Sequence, residues 1–266
     1  MSRIYISADI EGVCGIADWK ETDLAEVQGA YFREQMTREV AAACEGAQAA
    51  GATEILVKDA HSTGRNINPA ALPQCVRIVR SSARNPLTMM AGLDRGFDAA
   101  VFIGYHSGAG SAGNPLAHTM NRDNSRVLVN GEEASEFLLN AYTAASFGIP
   151  VAAVSGDRDL CERVAAHNRN IRTVAVNEGL GSAVISIHPA LAAARIREAV
   201  AEALKADPAS CRLPLPDRFE LAIEFREHFL AYRGSFYPGA RQAGPRTVTY
   251  ACAEWMDALR FMFFVL

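Results

Sequence analysis

Long uninterrupted apolar runs are missing from this 266-residue sequence. Crossing a bilayer as a helix takes about 20 consecutive apolar residues, so no membrane partner is expected. Runs of lysine and arginine are missing too, and the formal net charge is -4. Nucleic acid and anionic membrane surfaces both require a concentrated basic face, so neither is an expected partner. Met1-Ser2-Arg3 leads straight into a strand-like segment, with no apolar region and small-residue cleavage site; the expected location is therefore cytoplasmic. Cysteines are few and scattered (Cys14, Cys44, Cys75, Cys161, Cys211, Cys252), with no CxxC pair. In a chain of this size that pattern reads as reduced thiols, Cys44 being a small buried hydrophobe among alanines. Internal repeats and low-complexity tracts are absent, which sets aside solenoids and disorder.

What is present is a half-hydrophobic chain long enough to bury a sizeable core without disulfides or metal. Its first part alternates apolar strand-like and helical segments: a strand at Ile4–Ile10, a helix over Asp23–Ala50 ended by Gly51, and a strand at Ile55–Asp59. A short helix at 88–95 and a strand at Ala99–Tyr105 follow. Later come a strand at Arg126–Val129, a tight turn at Asn130-Gly131, a helix at Ala134–Ser146, and strands at Val151–Ser155 and Ile171–Val176 separated by a helix ending at His167. A long alanine-rich helix after Pro189 reaches about Ala206. The pattern predicts an α/β fold, a mostly parallel central sheet flanked by helices, with a smaller C-terminal α+β part. The proline-rich segment Pro208–Pro216 marks the expected boundary. Residues 1–207 are read as a metal-binding catalytic α/β domain and 208–266 as a smaller C-terminal α+β subdomain serving oligomerisation. That second part carries strands at Phe219–Phe225 and Thr247–Cys252, then a terminal helix whose apolar end packs on the sheet or on another subunit.

The chemistry lies where polar groups interrupt strand ends. In Ser7-Ala8-Asp9-Ile10-Glu11-Gly12, strand alternation puts Ser7, Asp9 and Glu11 on one face. Two carboxylates thus converge at the C-terminal end of a strand, where open α/β sheets bind ligands, and such a pair calls for a proton or a cation between its members. Asp59 and His61 end the second strand, and His106 ends the third. Asp59 either orients the His61 ring or faces elsewhere. Carboxylates and neutral imidazoles together suit zinc or a similar first-row cation. Gly108, Gly110 and Gly113 spell GxGxxG, but the match follows a histidine and meets Pro115 where a helix should open; a loop over an active site fits better than a nucleotide cradle. His118, just past that loop, is a candidate general acid or base. Near the next turn, Glu132, Glu133 and Glu136 are equally plausible by composition, while His167, His188 and His228 read as structural or surface residues. No GxSxG elbow occurs, and Cys14 has no assigned base.

In order along the chain, Ser7-Ala8-Asp9-Ile10-Glu11-Gly12, Asp59-Ala60-His61-Ser62, Gly104-Tyr105-His106 and Ala117-His118-Thr119-Met120 resemble motifs of the D-aminopeptidase DppA family of zinc metallopeptidases. The likeness continues through Asn130-Gly131 with Glu136, Asn140-Ala141-Tyr142, Gly156-Asp157 and Ile223-Glu224-Phe225, covering nearly the whole chain. The resemblance implies two zinc ions per chain: Asp9 bridging them, Glu11 and His61 completing one site, His106 and Glu136 the other. It implies His118 as the catalytic histidine, short peptides with an N-terminal D-amino acid as substrates, and a homo-oligomer, a decameric ring with enclosed active sites. Ala117 and Thr119 stand where the family often has serines, and the stretch from His106 to His118 is richer in glycine than the family pattern, which bears on D-specificity. The expected activity is a zinc-dependent aminopeptidase acting through a metal-bridging hydroxide. Two alternatives remain at this stage. One is another dinuclear metal hydrolase such as a phosphoesterase, disfavoured because Arg65 and Arg122 are isolated basic candidates. The other is a non-catalytic metal- or ligand-binding protein on the same fold.

Overall fold

The computed structural model describes residues 2–266. In chain order its first strands are β1 (Ser2–Ala8), β2 (Ala52–Asp59), β3 (Val76–Val79), β4 (Ala99–Tyr105), β5 (Asn124–Val129) and β6 (Glu132–Glu133). Then follow β7 (Val151–Asp157), β8 (Arg172–Leu180), β9 (Ala183–Ser186), β10 (Phe219–Phe225), β11 (Arg241–Gly244) and β12 (Thr247–Cys252). The helices are α1 (Trp19–Thr22), α2 (Gly29–Ala49), α3 (Glu136–Ser146), α4 (Arg158–His167), α5 (Pro189–Lys205), α6 (His228–Gly234) and α7 (Trp255–Val265).

Seven strands form the central sheet in the order β3-β2-β1-β4-β7-β8-β9, all pairs parallel except the β8–β9 hairpin. The expected mainly parallel α/β sheet is therefore present. Its central strands are apolar on both faces because both are covered. Ile4, Ile6 and Ala8 of β1 join Val57, Val101 and Ile103 in a core closed by Met36 and Val40 of α2 and Ile196 and Val200 of α5. Tyr5, Leu56, Ala100 and Phe102 face the other way, into a core shared with Phe137 of α3 and the aromatic side chains of a second sheet.

The second sheet is antiparallel, in the order β11-β12-β10-β5-β6. It draws strands from both sides of the proline-rich segment, since β5 and β6 precede it and β10 to β12 follow. Asn130 and Gly131 link β5 to β6 with positive φ at both residues (52° and 82°), the backbone that a tight primed turn demands. The terminal helix packs inward: Trp255 donates its indole N–H to Thr143 Oγ1 of α3 at 2.9 Å.

Local departures from the sequence reading have local causes. The helix expected from Asp23 begins only at Gly29, because Asp23 instead closes a turn, accepting from Ala25 N through its side chain and from Glu26 N through its carbonyl. The short helix expected at 88–95 is two 3₁₀ turns, Thr88–Met90 and Leu93–Arg95, separated by Gly92 at φ 94°. The short strands β3, β9 and β11 and the helix α6 carry too few residues for a periodicity to be read.

Candidate metal centre and cleft

The C-terminal ends of β1, β2 and β4 lie side by side, with Ala8 in register with Asp59 on one flank and Ile103 on the other. β1 stops at Ala8, one residue before Asp9. The chain then turns over the end of β4, Asp9 N donating to Ile103 O and Gly12 N to Gly104 O, both at 2.8 Å. A side chain at position 12 would collide with the Tyr105 carbonyl, and one at Gly104, itself at φ +68°, with the Asp9 carbonyl. Glycine at these two places lets the backbones close, and Asp9 and Glu11 are left facing inward, each 2% exposed. Their convergence owes as much to this turn as to strand alternation.

His61 follows β2 by two residues. Its Nδ1 lies 3.3 Å from Asp9 Oδ1 and 3.0 Å from Glu11 Oε2. Its Nε2 lies 3.1 Å from the Thr22 carbonyl, and donating there directs Nδ1 at the carboxylates. Asp59 does not touch the ring. It accepts from Asn66 N at 2.6 Å, Asn66 Nδ2 at 2.9 Å and Ile67 N at 2.8 Å, fixing the loop whose Asn66 also donates to the His61 carbonyl.

His106 follows β4, and its Nδ1 lies 2.9 Å from the Ser107 carbonyl. Its Nε2 is 3.5 Å from Asp9 Oδ2 and 3.4 Å from Glu136 Oε2. Glu136 is the first residue of α3, whose N-cap Ser135 accepts from Leu138 N. Glu132 and Glu133 sit on β6, away from these groups, as partners of His167 and of Arg126 and Arg163. Glu136 Oε1 accepts from Met120 N at 2.8 Å and lies 3.5 Å from His118 Nε2. The His118 ring stacks on that of His106, centroids 4.3 Å apart and 8° from parallel, with Trp19 edge-on to it at 5.2 Å.

Two groups of potential ligands result, Asp9 with Glu11 and His61, and His106 with His118 and Glu136; within each the ligand atoms lie within 4.8 Å of one another. Asp9 addresses both, one oxygen toward each histidine. Glu11 Oε2 and His106 Nε2 are buried without a hydrogen-bond partner, and buried polar groups left in that state are costly. Burial disfavours a charged ring at His61 and at His106, yet the negative charges of Glu11 and of Glu136, reinforced by Asp9, hold both pKa values well above the ordinary histidine range. Burial likewise works against ionised Asp9, but hydrogen bonds from His106 and His61 keep its carboxyl well below its usual range. Such a cluster of oxygen and imidazole donors, with orphaned atoms directed inward, fits divalent zinc.

The centre opens into a cleft of about 420 Å³ lined among others by Trp19, Lys58, Met89, Met120, Arg122 and Phe263. Arg122 sets its guanidinium over the Trp19 ring at 4.3 Å, while Arg65 does not line this cleft. The glycine-rich loop does not cover the cleft, contrary to expectation: none of residues 108–113 lines it. Ser111 Oγ and Ser107 Oγ bond Asp159, and Ser107 also bonds Asp157, which secures the loop against α4. Asn114 donates to the Glu11 carbonyl and to Asp157, carrying that anchorage to the metal-facing turn. Burial pushes the Cys14 thiol up to about 12, and its Sγ donates to the Ile187 carbonyl at 3.0 Å. His188 caps α5. Lys58, Asn66 and Trp19 were not singled out by sequence reasoning: a lysine inside a strand, an asparagine in a loop and an isolated tryptophan carry no pattern.

A family model described as D-aminopeptidase matches residues 2–264. A D-aminopeptidase from Bacillus subtilis (strain 168) is 30% identical over 262 residues, spanning 98% of this chain and 95% of that protein. Among solved structures, a Zn-dependent D-aminopeptidase DppA from Bacillus subtilis, described as a self-compartmentalizing protease, superposes with a TM-score of 0.93. It is 29% identical, and the match covers 99% of this chain and 96% of that one.

Proposed function

The chain belongs to the D-aminopeptidase family of peptidases, and from that premise we propose that it is a zinc-dependent aminopeptidase cleaving the first residue, a D-amino acid, from short peptides. The observation that carries the reading is the position of Asp9 between two histidines, Oδ1 toward His61 and Oδ2 toward His106. In this proposal Asp9, Glu11 and His61 hold one zinc ion, and Asp9, His106 and Glu136 a second. Zinc held there supplies a Lewis acid for the scissile carbonyl and a nucleophile at neutral pH.

The remaining work falls to the chain. His118 is left as the proton-handling group: the Leu116 carbonyl, 2.9 Å from its Nδ1, fixes the ring and leaves Nε2 beside Glu136 to hold or deliver a proton to the leaving amine. Stacking on His106 and the edge of Trp19 limit its rotation. Ser7, Tyr105 and Asn140 form a buried hydrogen-bonded chain behind Asp9, with Tyr105 donating to Ser7 at 2.7 Å and Asn140 to Tyr105 at 2.9 Å, which stiffens the floor of the centre.

Self-assembly completes the proposal. Phe229, Tyr232, Phe236 and Phe264 are exposed on α6, α7 and the segment after α6, Phe236 to 70%. Such a patch on the 208–266 part supports a homo-oligomeric, ring-forming role for that part, with a decamer as the proposed state. Among the described residues no helix is long and apolar enough to cross a membrane, and we place the protein in the cytoplasm. The decisive test is zinc content of the purified protein together with hydrolysis of D-Ala and L-Ala p-nitroanilides before and after chelation. Two zinc ions per chain and chelator-sensitive, D-selective hydrolysis are expected; no bound metal and no rescue by added zinc would overturn the reading.

A further inference from the structure

Lys58 is the least explained charge in the cleft. It lies on β2 in register with Ser7 of β1 and Val79 of β3, so it projects from the same face as Ser7 and, two residues on, Asp9. The residue is 3% exposed, yet it lines the cleft beside Asp9, Met89 and Thr88. Its ammonium donates to the Asp59 carbonyl at 2.6 Å and to the Ser81 carbonyl at 2.9 Å, which engages two of its three protons. No carboxylate pairs with it among the described residues: the Asp59 carboxylate is bound by Asn66 and Ile67. Burial pulls the Lys58 pKa down, and the charge of Asp59 opposes the pull. A desolvated ammonium with carbonyl partners only is an incomplete anion site. Arg122, the other cation of the cleft, is exposed and stacks on Trp19.

We propose that Lys58 binds the free C-terminal carboxylate of the substrate, making the enzyme selective for dipeptides over longer or C-terminally blocked peptides. The inference rests on the aminopeptidase reading and names which end of the substrate the inner wall of the cleft recognises. The distances are compatible. Lys58 stands one strand over from Asp9 and two residues back, on the order of 8 Å between Cα positions. The single residue between scissile carbonyl and terminal carboxylate in a dipeptide spans about 3.6 Å, and the lysine stem covers the rest. In a longer peptide the chain continues past Lys58, and its third proton meets a neutral amide in place of a carboxylate.

The test compares kcat/KM of the zinc-loaded enzyme for D-Ala-D-Ala and for D-Ala-D-Ala amide, with D-Ala p-nitroanilide as control. The wild type is expected to prefer the free acid by about 10- to 100-fold, the scale of one charge-assisted hydrogen bond, mainly through KM. In Lys58→Met that preference should collapse, the loss on the acid exceeding the loss on the amide by the same factor. If lysine merely braces the Ser81 carbonyl, both substrates lose equally and the ratio stays, which overturns the assignment. Collapse of the ratio in Arg122→Gln with none in Lys58→Met overturns it too. Should Lys58→Met not fold, the wild-type ratio decides alone: equal use of acid and amide sinks the inference while p-nitroanilide hydrolysis keeps the peptidase reading intact. Failure of the wild type on the anilide and on both dipeptides sinks the two together.

Discussion

The two halves of the centre are built differently. Asp9, Glu11 and His61 all come from segments that leave neighbouring strands of the central sheet, so parallel pairing, with the glycine-lined turn over the end of β4, brings them together. His106 also leaves a strand, but its partner Glu136 opens a helix after a hairpin of the other sheet, and His118 sits on an irregular segment. The first half is thus a consequence of one sheet's register, whereas the second requires the β5–β6 hairpin and α3 to dock correctly. Asp9 joins them. The contrast teaches that a site assembled from strand ends is fixed early in the fold's logic, and that one reaching to a second sheet depends on packing between layers.

Asp9→Asn should have the largest effect, because it removes the carboxylate both halves share: both zinc ions lost and amidase activity at background, by elemental analysis and p-nitroanilide assay. Glu11→Gln and Glu136→Gln should each cost one ion only; loss of both ions from either would break the division into halves. His118→Ala comes next, with kcat lowered roughly 10²- to 10⁴-fold and zinc content unchanged. If zinc falls instead, His118 belongs to the second half as a ligand, a role its distance to Glu136 permits. Asp59→Asn should loosen the loop behind His61 and weaken zinc affinity by about 10- to 100-fold, in the first half alone, as a metal-competition titration would show.

A last effect leaves the centre's chemistry alone and falls on stability. Glu39 of α2 accepts from the Cys14 amide in the segment after Glu11, and its other oxygen has no donor. Burial raises its pKa to about 7, against the opposing hydrogen bonds of Cys14 and Gln35. A raised carboxyl pKa means the folded state binds more protons than the unfolded one between about 4.5 and 7, so stability falls as pH rises through that window. Glu39→Gln keeps an acceptor for Cys14 and supplies a donor. It should therefore stabilise the protein by about 3 kcal/mol at pH 8 and by nearly nothing at pH 4, read from chemical denaturation at the two pH values. Equal effects at both would refute the titration.

The same contrast governs how much could be read from the amino acids. Asp9, Glu11, His61 and His106 stand where apolar runs stop, and alternation plus parallel order points them to one sheet edge, although the turn at Gly12 that faces Asp9 and Glu11 inward could not be read from spacing. Glu136 looked no different from Glu132 and Glu133, since what separates them is a helix N-terminus and the fold of a hairpin, both tertiary facts; only the motif order of the family picked it out. The central sheet was legible because its strands are continuous apolar runs. The joining of β5 to β10 was not, because antiparallel partners more than 90 residues apart, such as Val129 and Leu221, leave no mark on local periodicity. Asp59 shows a subtler limit: spacing placed it beside His61, but its two oxygens were claimed by Asn66 and Ile67, groups that no spacing rule weighs.

The placement of Trp19 gives the molecule a built-in optical probe. The chain has two tryptophans: Trp255 lies in the core between Tyr142 and Phe219, while Trp19 stands between the His118 ring and the Arg122 guanidinium at the mouth of the cleft. Indole emission responds to neighbouring charge and water, so in a Trp255→Phe background the fluorescence of Trp19 would follow occupancy of the centre in real time. In the converse background, Trp255 would report only whether the chain is folded. One polypeptide therefore carries separate reporters for binding and for integrity, without any dye attached.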